Sequence, residues 1–258
     1  ALCQVTGRTL PWGDLTGIRP TKIPMKLLEE GWKNTEIARY MRETYGVSNE
    51  KTALAITIAN REKALLQDLD YENGYSLYVG IPFCPSICLY CSFGSHPLER
   101  WTKRVDEYLD TLCKELTFIR EQMGTRKLTT VYIGGGTPTT LEPEQLRRLL
   151  SHIQETFDFT WVKEYTVEAG RPDSITREKL QVMKEFPVTR ISVNPQTMNQ
   201  KTLDVIGRKH TVEDTVNIFH MARELEFDNI NMDLIIGLPG EGKEEVAHTL
   251  QEVEKLHP

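Results

Sequence analysis

The chain lacks the positive surplus of a nucleic-acid binder: 31 Lys and Arg residues stand against 37 Asp and Glu, for a net charge of -6. No electrostatic footprint for a polyphosphate or an anionic membrane follows from that balance. Also missing is any run approaching the roughly 18 apolar residues of a membrane helix. The N-terminus has none of the charged, apolar and small-residue order of a signal peptide. These absences point to a small-molecule substrate and a cytoplasmic protein, with no nucleic-acid partner and no membrane span. Cysteine is scarce and odd in number, five in all. Three of them crowd into residues 84–91, which fits a metal site in a reducing compartment better than a disulfide framework.

What is present is an ordinary globular composition, 39% hydrophobic over 258 residues, enough to bury the core of one barrel or of two smaller domains. The first 73 residues carry two helical patterns. One, over 25–45, repeats Leu27, Leu28, Trp32, Ile37 and Met41 and stops at Gly46. The other, over 49–68, opens on Asn49 as a cap and carries Leu54, Ile56, Ile58, Leu65 and Leu66. A turn-rich segment over 11–20 precedes them, and together they predict a small N-terminal helical module.

From residue 74 the texture changes to short apolar runs separated by longer helical patterns, the mark of repeated βαβ units. Strands are predicted over 77–81, 130–133, 165–167, 190–193 and 230–236, and helices over 103–122, 143–156, 177–184, 212–225 and 243–256. The runs read as apolar without clean alternation, as strands buried on both faces do. The fold class is therefore α/β: a partial parallel (βα) TIM-like barrel over 74–258 preceded by the helical module over 1–73. In such a barrel functional groups sit at the C-terminal ends of the strands. The unusual residues fall there: the cysteines after Pro82, the run Gly134 to Pro138, Glu168, Asn194-Pro195-Gln196, and Asp233 ahead of Gly237. The chain begins at Ala1 and stops at Pro258 directly after a helical pattern, and reads as a fragment.

Cys84, Cys88 and Cys91 form C-x3-C-x2-C in a loop that Pro82 and Pro85 stiffen. Three thiolates so close can ligate an iron–sulfur cluster with one iron lacking a protein ligand. They can also hold zinc together with His96 in a Cys3His set, or simply be buried thiols. Cys113 shares a helical stripe with Leu109, Leu112 and Leu116 and reads as core, while Cys3 carries no signal. The glycines at 134–136 let backbone approach a ligand closely, or form an ordinary βα turn. Glu168 and Asp233 each follow or interrupt an apolar run, where an unpaired carboxylate is costly to desolvate. Glu168 therefore needs a partner: Arg171, Arg190 or a bound cofactor.

The cysteine loop, with Tyr90 before its last cysteine and the Gly134 to Pro138 run one unit later, resembles the radical S-adenosylmethionine (SAM) superfamily. More narrowly, the run from Tyr78 to Cys84 and the stretch from Arg190 through Gln196 to Arg208 resemble the oxygen-independent coproporphyrinogen III oxidase family. The run from Leu15 to Lys22 and the run Asn194-Pro195-Gln196-Thr197-Met198-Asn199 resemble its HemZ-type (coproporphyrinogen dehydrogenase) branch.

The resemblance implies a 4Fe-4S cluster on Cys84, Cys88 and Cys91, whose open iron takes the amino and carboxylate groups of S-adenosylmethionine. It places Tyr78, Gly135 and Glu168 beside that cofactor. Tyr90, Gly136, Thr137, Gln196, Arg208 and Asp233 match positions that hold a second S-adenosylmethionine. The implied chemistry is oxidative decarboxylation in haem biosynthesis. A reduced cluster cleaves the sulfonium, the resulting 5'-deoxyadenosyl radical takes hydrogen from a propionate of coproporphyrinogen III, and loss of carbon dioxide and an electron leaves a vinyl group. Done twice, this gives protoporphyrinogen IX, and it needs an electron donor such as flavodoxin or ferredoxin. Arg171, Arg190 and Lys209 are the candidate cations for the substrate's carboxylates.

In the family's well-studied oxidases another cysteine follows the third ligand by two residues; here that position is Phe93, as in the family's haem-chaperone branch. The alternatives are thus a haem chaperone, a related radical enzyme acting on haem, or, from another class, a zinc-stabilised α/β binding module. Related barrels have at least six βα units, so a sixth strand and a C-terminal domain are expected beyond the five units seen here.

Overall fold

The computed structural model of the chain describes residues 5–15, 19–70 and 72–258; Cys3 and stretch 16–18 of the family-like run lie outside the described residues. It divides into two compact units, Ala1–Tyr71 and Glu72–Pro258.

In the first unit α1 (Lys22–Glu29), α2 (Asn34–Tyr45) and α3 (Asn49–Leu66) pack together. The single helix expected over 25–45 is two helices. Gly31 adopts φ of 88°, and Trp32 N–H donates to Leu27 O at 2.9 Å, a left-handed closure that ends α1. The chain re-enters helix where Lys33 N–H donates to Glu36 Oε2 at 2.8 Å. Ser48 rather than Asn49 caps α3, its Oγ accepting from Lys51 N–H at 3.2 Å. The core of this unit is Leu27, Leu28, Ile37, Met41, Ala55 and Ile56. Because α3 buries the stripe through Thr52, Ala55, Ile56 and Ala59, Leu54 and Leu65 face solvent.

The second unit begins with β1 (Gly74–Ile81), a short parallel pair β2 (Phe83–Cys84) and β3 (His96–Pro97), and α4 (Leu98–Trp101). Then follow α5 (Val105–Met123), β4 (Lys127–Gly135), α6 (Pro143–Thr156), β5 (Glu164–Gly170) and α7 (Arg177–Lys184). The chain continues through β6 (Arg190–Val193), α8 (Gln200–Val205), α9 (Val212–Glu224), β7 (Ile230–Asn231) and α10 (Lys243–Leu256). Five strands pair in parallel in the order β1-β4-β5-β6-β7, so each successive βα unit adds a strand beside the last. This is a partial barrel, with a helix after each of its strands.

Apolar and polar residues take turns along the strands; β1 alternates in burial as well, whereas β5 and β6 are buried on both faces, as expected, with Thr166 and Ser192 as enclosed as their apolar neighbours. Leu77, Val79, Ile81, Val131, Ile133, Tyr165, Val167, Ile191 and Val193 share one core with Leu109, Leu116, Leu146, Leu149 and other helix residues. Each such fully buried side chain contributes about 1.5–3 kcal/mol. The intervening residues form a polar face. Thr130 Oγ1 donates to Ser76 Oγ at 2.7 Å, Arg190 lies 3.7 Å from Glu164 and donates to Asn231 Oδ1 at 2.8 Å, and Tyr78 stacks on Tyr132 at 5.8 Å.

The strand expected over 230–236 stops at Asn231. Asp233 N–H donates to the side chain of Asn194 at 3.1 Å, so a side-chain amide occupies the place of a ladder carbonyl. One bridge between Gln196 and Leu234 follows, with Gln196 held at φ of 67°.

Candidate functional site

The cysteine loop leaves β1 at Pro82 and returns at β3, where His96 N–H donates to Pro82 O at 2.7 Å. Within it, Cys91 N–H donates to Cys88 O at 3.1 Å, a tight turn between the last two cysteines. The far limb is tied to the loop after α8: Leu89 N–H donates to Ile206 O at 3.0 Å and Ser86 Oγ to Gly207 O at 3.1 Å. Cys84 and Cys88 are buried and Cys91 is half-buried, all as free thiols.

The thiols open on a cavity at the C-terminal ends of the strands, where a parallel barrel gathers its functional groups. Every cluster or cofactor residue expected from the sequence lines it except Tyr78 and Asp233. Tyr78 lies on the polar sheet face against Tyr132. Asp233 is exposed rather than buried and accepts from Asn231 Nδ2 at 2.8 Å.

Backbone proximity requires glycine here. A Cβ on Gly136 would stand 2.7 Å from Phe83 O and 2.9 Å from Ile81 O, and one on Gly135, whose φ is 104°, 3.1 Å from Ile81 N. The ends of β1 and β4 can therefore close on each other only without side chains. Gly134 answers a different demand: a Cβ there would lie 2.8 Å from Glu168 Oε2 and 2.6 Å from Tyr132 Cε1.

Glu168 finds no ion pair with Arg171 or Arg190. Burial and the charge of Asp233 push its carboxyl up to about 7, against the pull of Arg208 and hydrogen bonds from Gly135 N–H and the Tyr132 hydroxyl. Arg208 donates through Nη1 to Asn194 O at 2.7 Å and through Nη2 to the Tyr90 hydroxyl at 3.0 Å, and its Nε is buried with no partner. Burial drives the Tyr90 phenol up to about 12, so it stays neutral. Thr137 Oγ1 donates to Cys84 Sγ at 3.4 Å. Burial raises the Cys84 thiol, opposed by that hydroxyl and by Arg171.

Three residues were read differently in the sequence. Arg171, expected on the rim for a substrate carboxylate, is buried and points at Cys88, with Nη1 3.4 Å from its Sγ. Arg190 pairs through its terminal nitrogens with Glu164 and Asn231 while its Nε is buried without a partner, and Lys209 is exposed. His96 stands apart from the thiols, packing on Trp101 at 5.1 Å between ring centroids and lining a separate cavity with Phe83 and Tyr108. It is not placed to complete a Cys3His zinc site. Among the described residues no three His, Cys, Asp or Glu side chains converge as a single metal ion requires. The three thiols line one cavity, a donor set of the kind that holds an iron–sulfur cluster. Cys113 lies half-buried on α5, its carbonyl accepting from His152 Nε2 at 2.9 Å, and takes no part in this cavity. Tyr132 was missed; its signal was a tyrosine two residues before the glycine run.

The model of the radical SAM superfamily matches residues 78–253. The oxygen-independent coproporphyrinogen-III oxidase-like protein HemZ of Bacillus subtilis (strain 168) is 44% identical over 257 residues, 98% of this chain and 51% of that protein. The heme chaperone HemW of the same organism is 40% identical over 176 residues, 68% of this chain and 46% of that protein. The solved coproporphyrinogen III oxidase (HemN) from Escherichia coli, a radical SAM enzyme by its title, superposes with a TM-score of 0.66 at 32% identity over 76% of this chain and 45% of that one. The chain spans about half the length of the curated relatives it matches.

Proposed function

The chain belongs to the radical SAM superfamily, within the family of oxygen-independent coproporphyrinogen III oxidase-like proteins, and on that premise we propose that it oxidatively decarboxylates the propionates of coproporphyrinogen III in porphyrin biosynthesis. Residues 1–73 would be a helical module and 74–258 the barrel core that carries the chemistry. The supporting observation is the cavity itself: three free thiols, a glycine-lined strand end and the Glu168 carboxyl meet in one opening.

Cys84, Cys88 and Cys91 would hold a 4Fe-4S cluster with one iron open to S-adenosylmethionine. When bound, cluster and S-adenosylmethionine supply removal of a hydrogen atom from an unactivated carbon. The protein's part is to hold and orient. Glu168, its charge disfavoured by burial, would hold a cofactor ammonium as a carboxylate, with Gly135 offering backbone beside it. Tyr78 and Asp233 stand outside the cavity wall but within electrostatic reach of Glu168. Gly136, Thr137, Tyr90, Gln196 and the spare Nε–H of Arg208 would hold a second S-adenosylmethionine, with Asp233 at its edge. Lys209 is the candidate cation left for a substrate carboxylate. The electron would come from a donor protein such as flavodoxin or ferredoxin.

A second reading, haem chaperone, is favoured by Phe93, which is 67% exposed and lines the cavity at the position where the family's oxidases carry a further cysteine. The test uses the full-length protein, reconstituted without oxygen and given coproporphyrinogen III, S-adenosylmethionine and a one-electron donor. Mass spectrometry is expected to find protoporphyrinogen IX. Retained haem with no such product would replace the oxidase reading by the chaperone one.

A further inference from the structure

The least expected group in the cavity is Arg171. Its side chain is 4% exposed, and a guanidinium so buried must be paired and hydrogen-bonded to be tolerable. Asp173, two residues on, grips one edge of it: Nε donates to Oδ1 at 2.9 Å and Nη2 to Oδ2 at 2.6 Å. That bidentate grip fixes the plane of the fork. The remaining edge then has one direction to point. Nη1 donates to Ser86 O at 2.9 Å and lies 3.4 Å from Cys88 Sγ, both on the cysteine loop.

The local chain is built to deliver this side chain. Gly170 leaves β5 at φ of 50°, Arg171 N–H donates back to Ala169 O at 2.6 Å, and Ser174 Oγ donates to Arg171 O at 2.8 Å. A short turn over Pro172–Ser174 then presents Asp173. Sequence distance hid the arrangement, since Arg171 and Cys88 are 83 residues apart.

We propose that Arg171 is a positioning residue for the cluster: it fastens the cysteine loop at Ser86 and, by donating to the Cys88 sulfur, raises the cluster's reduction potential, with Asp173 as the opposing weight. The inference rests on the reading that Cys88 ligates the cluster. Its physics is direct. Reduction adds one electron to the cluster and breaks no bond, so the reduced state is the more negative one. A donor and a positive charge at a ligating sulfur stabilise it, as hydrogen bonds to cluster sulfurs and local charge do generally. The Asp173 carboxylate acts in the opposite sense from farther away. A structural clamp alone would have no such pair of signs.

The test is a dye-mediated redox titration, followed by electron paramagnetic resonance, on reconstituted wild type, Arg171→Gln, Asp173→Asn and Arg171→Lys at measured iron content. At the wild-type midpoint, Arg171→Gln should lower the ratio of reduced to oxidised cluster about tenfold, equivalent to about 59 mV for one electron. Asp173→Asn should raise that ratio severalfold. Arg171→Lys, which keeps the charge but not the fork, should fall between wild type and the glutamine variant. If Arg171→Gln loads too little iron to titrate, the sign of the Asp173→Asn shift decides alone. Loaded variants that titrate with wild type, or that both move the same way, overturn the inference and leave the cluster reading standing. Wild-type protein that takes up neither iron nor sulfide overturns both.

Discussion

The two faces of the five-stranded sheet do different jobs. Toward the helices stand Leu77, Val79, Ile81, Val131, Ile133, Tyr165, Val167, Ile191 and Val193, all buried in one core. On the other face the same strands show Ser76, Tyr78, Thr130, Tyr132, Glu164, Glu168, Arg190 and Asn231, joined by hydrogen bonds, an ion pair and a ring stack. Alternation along each strand separates the residues that hold the fold from those that can meet a ligand. The chemistry gathers where the polar face reaches the strand ends, next to the cysteine loop.

If stability belongs to the helix-facing side, removing a side chain there should have the larger effect. Ile133 is fully buried, so Ile133→Ala should cost about 2–5 kcal/mol in urea unfolding. A loss below about 1 kcal/mol would break the division of labour. Glu168 should reveal itself through pH instead. Its carboxyl sits near about 7 rather than 4.5 because burial and Asp233 disfavour its charge. Between those values the folded chain holds a proton that the unfolded chain releases, so stability falls as pH rises through that window. Glu168→Gln cannot ionise. It should flatten that stretch of the stability curve and leave the cofactor-free variant more stable above the window, by on the order of 1 kcal/mol after solvent screening. An unchanged slope would mean that the carboxyl is well solvated. The smallest effect belongs to Ser76→Ala, which removes one partner of the Thr130 hydroxyl on the polar face. Its cost should be about 0.5–1.5 kcal/mol, and an effect matching Ile133→Ala would erase the contrast between faces.

The cysteine loop could be read directly because its signal is local: three thiols at short spacing between prolines. The strand at 190–193 was equally plain, bounded by Asn194-Pro195 at its end. The alternation was obscured because tyrosine and glycine pass for apolar residues in a strand, so Leu77 to Ile81 looked uniformly apolar although Tyr78 is 62% exposed. The last strand was overread because Leu234 to Ile236 carries strand-like side chains, while the Asn194 amide that diverts the backbone comes from a distant segment. Tyr132 and Arg171 escaped for the same reason. Their importance lies in contacts across the fold, with Glu168 and with Cys88; the one local hint is the place of Tyr132 two residues ahead of the glycine run. The helix break at Gly31, by contrast, was visible in principle, since a glycine there offers the left-handed turn that the closure uses.

The most direct test of the central claim is iron, sulfide and zinc analysis of the protein after reconstitution without oxygen, alongside Cys88→Ala and Cys113→Ala. The wild type and Cys113→Ala should each hold about four iron and four sulfide per chain, the content of one cubane cluster, and Cys88→Ala almost none. Zinc bound without iron or sulfide, or equal iron loss in both variants, would contradict the assignment of Cys84, Cys88 and Cys91 as cluster ligands.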